Sequence, residues 1–139
     1  MKPILAILLI FYLACANAAE LTAFVVDTHG SFSQAIDRVK QAVQDHNFRV
    51  VREADLSVKG VKVHAIWFCN FALLNTAIQT QKEVGYLLPF RVTVVEHDHQ
   101  VSISAQNPDL SLTPASSQLG VLCQHMTAAY KAILEEVSL

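Results

Sequence analysis

Apolar residues fall into several distinct rhythms along this chain, and each rhythm predicts an element. Residues 4–16 form an almost unbroken apolar run behind the basic start Met1-Lys2-Pro3. Ala16-Asn17-Ala18 then places small residues where a signal peptidase reads them. Charged start, apolar middle and small-residue exit predict a secretory signal peptide over residues 1–18, with the mature chain beginning near Ala19. The run falls short of the roughly 20 apolar residues that a membrane span needs. Lipidation at Cys15 and an uncleaved anchor are the alternatives. Against the first, Tyr12 stands where a lipoprotein signal normally carries a small aliphatic residue.

Beyond the leader the rhythms shorten. Residues 21–27 are β-rich and end in the turn-like Thr28-His29-Gly30. Ser31 and Gln34 have capping-box spacing, so a helix is expected to start at Ser31. Phe32, Ile36, Val39 and Val43 mark its apolar face, and Asn47 is its expected stop. Residues 48–53 read as a strand, and Gly60 separates them from residues 61–69. In that second run Val61, Val63, Ala65, Trp67 and Cys69 share one face, and Lys62, His64, Ile66 and Phe68 share the other. Both faces are apolar from Ala65 to Phe68, which predicts a central strand covered on both sides.

Asn70 is placed to cap a helix with apolar residues Phe71, Leu73, Leu74, Ala77 and Ile78. Gly85 and Pro89 bracket a short apolar link. Residues 90–96 and 101–105 then read as a hairpin joined by His97-Asp98-His99-Gln100. Asn107-Pro108-Asp109 ends the pair. Thr113-Pro114 has the form of a last helix start. Its expected buried stripe is Leu119, Leu122, Met126, Ala129, Ile133 and Val137, with Cys123 and Tyr130 beside it. The order β-α-β-β-α-β-β-α predicts an α+β fold, a two-layer sandwich whose largely antiparallel sheet carries helices on one face.

Composition narrows the picture further. The chain has 139 residues, so residues 19–139 make one small domain. Formal charge is −2, and loss of Lys2 with the leader leaves nine basic residues against twelve acidic ones. The charges are scattered with no basic run, which argues against nucleic acid and against an anionic membrane surface. Contact with a membrane is expected only through an uncleaved leader or a lipidated Cys15. No haem-attachment CxxCH, Gly-rich phosphate loop or serine nucleophile elbow is present, so no cofactor is indicated.

The remaining chemistry is local. Cys69 and Cys123 survive leader removal. In an oxidising compartment a Cys69–Cys123 disulfide is the plain expectation, with two buried thiols as the alternative and a metal or redox role behind both. Cys69-Asn70 sits at a strand-to-helix junction, where thiolates and anions are favoured. With His64 and Trp67 it forms a candidate ligand-binding group, against the plainer reading of a buried small residue followed by a cap. His64 lies on the opposite strand face from Cys69, which argues against a catalytic pair. His97 and His99 flank Asp98 at the hairpin tip and form a weak candidate metal site, against the plainer reading of a solvated turn.

Several ordered motifs resemble the domain of unknown function 302 family. They are Phe68-Cys69-Asn70, the run from Val84-Gly85-Tyr86-Leu87-Leu88-Pro89 through Glu96, the strand from Ser102 to Asn107-Pro108, and Met126-Thr127-Ala128-Ala129-Tyr130. The likeness covers about residues 21–137. Two positions depart from it: many members carry Pro where this chain has Phe71, and Cys where it has Phe90. If those members use paired cysteines near Cys69, that chemistry does not transfer. The resemblance implies a compact α+β fold that self-associates as a homodimer, and no established reaction. The leading expectation is an exported, non-catalytic module binding a protein partner or small ligand. A thiol- or metal-dependent protein centred on Cys69 is the alternative. A carrier of a hydrophobic or haem-like ligand beneath Trp67 and Phe68 is the weaker one.

Overall fold

The computed structural model describes residues 23–82, 90–106 and 117–138, without the side chains of 117–119 and 122. The predicted leader, Cys15, the Gly85–Pro89 link, Asn107-Pro108-Asp109, Thr113-Pro114 and the side chains of Leu119 and Leu122 lie outside the described residues. No described helix is long and apolar enough to cross a membrane.

The elements are β1 (Ala23–Thr28), α1 (Phe32–Asp45), β2 (Arg49–Asp55), β3 (Val61–Cys69), α2 (Phe71–Thr80), β4 (Phe90–His97), β5 (Gln100–Gln106) and α3 (Ser117–Ser138). The strands form one sheet in the order β1-β5-β4-β3-β2, and every pairing is antiparallel. This is the predicted order and layout.

Local chemistry sets the helix ends. The Ser31 hydroxyl accepts from the Gln34 N–H at 3.2 Å, and Gln34 Oε1 accepts from the Ser31 N–H at 2.9 Å. That reciprocal box satisfies two N–H groups the first turn cannot pair. At the other end Asn47 takes a positive φ of 63°. The Phe48 N–H then bonds back to the Val43 carbonyl at 2.9 Å, and the Asn47 N–H to Gln44 at 3.0 Å. This Schellman closure turns the chain into β2 and buries Phe48 against the core.

One sheet face carries the core. Ile103 lies between Val26 and Val94, Ala105 between Phe24 and Val92, and Phe68 between Val50 and Phe90. Against these rows pack Ala35, Val39, Ala42 and Val43 of α1 and Met126, Tyr130, Ile133, Leu134 and Val137 of α3. Phe68, fully buried, is the hub of an aromatic group. Its ring centroid lies 5.3 Å from Phe48, 5.6 Å from Tyr130 and 6.4 Å from Phe90. The buried stripe of α3 is therefore rotated from the predicted one. Cys123 and Tyr130 lie within it, and Ala129 is only partly covered.

Two polar ties hold the layers in register. The Thr28 hydroxyl donates to the Val137 carbonyl at 2.6 Å and accepts from Arg38 Nη2 at 2.7 Å, joining β1, α1 and the end of α3. The Glu53 carboxylate takes Lys40 Nζ of α1 and His64 Nε2 of β3, each at 3.0 Å. The hydrogen bond from His64, then the one from Lys40, holds the Glu53 carboxyl below its ordinary value of 4.5. A depressed carboxyl stabilises the folded state above its unfolded pKa, and that contribution is lost as pH falls through the folded value. Urea denaturation of wild type and Glu53→Gln should therefore differ at pH 7 and converge as pH falls through the lowered folded value of Glu53. A gap that stays constant with pH would show that the cluster does not titrate as described.

Candidate functional site

The second face of the sheet has no described helix against it. Its rows follow from the register. Arg52, Trp67 and Arg91 lie directly across from one another on β2, β3 and β4. The next row is Ala54, Ala65, Thr93, Ser104 and Val25, and beyond it come Val63, Val95, Ser102 and Asp27. Val63, Trp67, Thr93, Val95, Ser102 and Ser104 are half-buried, whereas Val25 is 62% exposed. On β3 this face is nonetheless closed to solvent at Ala65, 0% exposed, and at Cys69, 3% exposed, and half-covered at Trp67, in line with the two-sided apolar reading, although no described helix packs there. Both faces read as apolar because Ile66 and Phe68 enter the core while Ala65 and Trp67 belong to this open face.

A bulge shapes the end of this face nearest Trp67. The β2–β3 register shifts between Val50 and Arg52, so Val51 is an extra residue. Residues three apart on a regular strand point to opposite faces. The extra residue instead brings Arg49, opposite Cys69, to the same face as Arg52, opposite Trp67. The Arg52 guanidinium lies 5.1 Å from the Trp67 ring centre, and that of Arg49 lies 5.8 Å from the Phe71 ring. Each contact is worth about 0.5–1 kcal/mol at an exposed site. Arg49, Arg52 and Arg91 are all exposed. No ion pair among the described residues involves any of them.

The sequence-predicted residues scatter across this geometry. Trp67 is on the open face. His64 is on the other, held by Glu53 at the sheet margin. Cys69 is on the open face but only 3% exposed, and burial pushes its thiol up from the ordinary value, the opposite of thiolate activation. Cys69 and Cys123 are buried thiols, and the predicted disulfide between them is not formed. Asn70 does what the plainer reading expected. Its Oδ1 accepts from the Ala72 and Leu73 N–H groups at 3.0 and 3.1 Å, and its Nδ2 donates to the Asn47 carbonyl at 3.1 Å. Trp67 and Phe68 face opposite ways, and Phe68 is packed among rings, so the two do not roof a common cavity.

The hairpin tip also departs from expectation. His97 pairs with Gln100, leaving a two-residue turn in which Asp98 and His99 both have positive φ, 51° and 63°. That is the I′ pattern. His99 is therefore not on an extended segment beside His97, and strand alternation does not aim the two imidazoles together. His97 Nδ1 lies 3.4 Å from Asp98 Oδ2, and Glu96 is occupied by Lys62 Nζ at 2.6 Å. Among the described residues no three His, Cys, Asp or Glu side chains converge.

The arginines carry no motif of their own in the sequence. Their placement beside Trp67 depends on a register and a bulge that spacing does not reveal.

Fold and site together define a small two-layer α+β domain with one sheet face covered by helices and, among the described residues, no helix on the other. The chain belongs to the family described as domain of unknown function DUF302, which matches residues 24–137. Among solved structures it is similar to the crystal structure of the uncharacterised conserved protein DUF302 from Bacillus stearothermophilus. The TM-score is 0.77 at 16% identity, covering 84% of this chain and 98% of that one. At that identity the likeness is one of fold. No curated protein matches the chain.

Proposed function

We propose that this protein is an exported, non-catalytic binding module whose working surface is the sheet face that no described helix covers. The observation that carries the reading is the Trp67 row, a half-buried aromatic between exposed arginines on a face that no described helix covers. Apolar surface of this kind, rimmed by charge, is characteristic of interaction sites. Export rests on the charged start, apolar run and Ala16-Asn17-Ala18 exit of the leader. Homodimer formation is supported by the β1 margin. There Val25 is exposed on an edge strand, and a groove of about 540 Å³ runs between Phe24, Val26, Lys131 and Leu134.

Native mass spectrometry of the protein from its own compartment, without reductant, tests all three parts. The expected result is a chain beginning near Ala19, paired with a second copy, carrying added mass that Val63→Asp abolishes. A chain that still begins at Met1 would overturn export. A lone monomer would overturn the dimer, and bare wild-type protein the binding role.

A further inference from the structure

We propose that Arg49, Arg52 and Arg91 form, around Trp67, a recognition site for the oxyanion group, carboxylate or phosphate, of a small ligand with an apolar body. This rests on the open-face reading above and adds the chemistry of the ligand. Register puts Arg52 and Arg91 on either side of Trp67, so their Cβ atoms stand roughly 10 Å apart across two strand spacings. Both side chains are long enough to meet above the indole. The bulge at Val51 adds Arg49 on the same face.

Two of the three guanidiniums already rest on aromatic rings, Arg52 on Trp67 and Arg49 on Phe71. A guanidinium held over a ring by cation–π attraction still has N–H donors to offer a carboxylate or phosphate. Stacking also removes side-chain freedom before any ligand arrives, which lowers the cost of binding. Phe71 is 55% exposed, an otherwise costly position for a large apolar ring, and its contact with Arg49 gives it a purpose.

The sign of the patch selects the occupant. Three like charges gather at one end of a face in a protein whose formal charge is −2. Asp27, an acidic residue of this face, lies two rows away on the far edge strand. A two-fold pairing of this face centred on Trp67 would set arginine against arginine, so a second copy does not complement it there. An anionic group does. Toward the sheet centre the half-buried Val63 and Val95 offer an apolar bed for the remainder of such a ligand.

Trp67 is the single tryptophan, so its fluorescence reports on this site alone. The mature protein is titrated with octyl phosphate below its micelle concentration, and in parallel with octanol and with inorganic phosphate. The expected result is a saturable change in Trp67 emission with octyl phosphate, weakened by added salt. Affinity should fall about tenfold or more in Arg91→Gln, and again in Arg49→Gln, for loss of one charged hydrogen bond each. Both variants leave the Trp67–Arg52 stack intact, and matching far-ultraviolet spectra and urea midpoints show that they fold. No saturation with octyl phosphate, or unchanged affinity in both variants, overturns the site. Equal binding of octanol overturns the oxyanion assignment while leaving an apolar open-face site standing. Equal binding of inorganic phosphate overturns the apolar body. Added mass on the native protein that persists in Arg91→Gln and Arg49→Gln but not in Val63→Asp would likewise sink this proposal and spare the open-face reading.

Discussion

Phe68→Ala should destabilise the domain by about 3–5 kcal/mol, the range for emptying a large aromatic site in a packed core. Phe68 is fully buried and meets the rings of Phe48, Phe90 and Tyr130, so truncation removes three aromatic contacts at once and leaves a void between the sheet and α3. Each ring pair adds about 0.5–1.5 kcal/mol beyond area burial, and the three are not additive because they share one ring. Small domains have about 5–15 kcal/mol of total stability, so the variant should be partly unfolded at physiological temperature. The neighbouring Trp67→Ala supplies the comparison. Its ring stands half-buried on the opposite face with the Arg52 guanidinium over it, and its removal should cost about 1–2 kcal/mol for partial burial and one cation–π contact. Urea denaturation of both variants reads the difference. Equal losses would mean that the open face is as tightly packed as the core and would remove the basis for treating it as a binding surface.

Asn70→Ala should lower stability by about 2 kcal/mol. About one comes from the lost N-cap of α2 and about one from the lost hydrogen bond to Asn47. Asn70→Asp separates the two, because the carboxylate still accepts from the Ala72 and Leu73 N–H groups but cannot donate to the Asn47 carbonyl. It should lose about half as much. The tie has consequences beyond one helix. The Asn47 carbonyl belongs to the left-handed turn between α1 and β2, and Asn70 stands between β3 and α2. One side chain thus links both turns at the end of the sheet where Arg49 and Cys69 face each other. Thermal unfolding and octyl phosphate affinity should therefore fall together in Asn70→Ala. A variant of unchanged stability would show that the cap is dispensable and would reopen a ligand-contacting role for Asn70.

The elements and their order were legible because local chemistry writes them. Ser31 and Gln34 are three apart, the capping-box distance. Val101, Ile103 and Ala105 alternate at the period of a strand. Asn47 ends a helix because asparagine tolerates the left-handed turn, and Asn70 begins one through its short polar side chain. None of these needs a distant partner, so the reading of α1, α2, β3 and the β4–β5 hairpin carried into three dimensions. The stripe of α3 was less legible. Cys123 and Tyr130 read as flanking positions, yet Tyr130 fills the space between Phe68 and Phe90, because the rotation of a long helix is set by the aromatic rings it meets.

The candidate site was less legible still. Cys69 and Asn70 drew attention through their junction, but the chemistry of a thiol depends on burial, and burial raises its pKa here. His97 and His99 looked aligned because they are two apart, and the positive φ of Asp98 and His99 undoes that spacing. The arginines carry no spacing rule. Arg49 and Arg52 share a face only because Val51 is bulged, and Arg91 stands across from Trp67 only because β4 pairs with β3 at that register.

By itself, then, the sequence determined the α+β element order and the caps, since capping, periodicity and turn chemistry act between residues a few positions apart. The tertiary structure decided which sheet face is helix-covered, that Cys69 and Cys123 stay unbridged, and that Arg49, Arg52 and Arg91 share the sheet face and end that carry Trp67. Those outcomes rest on strand register, one extra residue and the direction of packing, which are set by contacts between residues far apart in the chain.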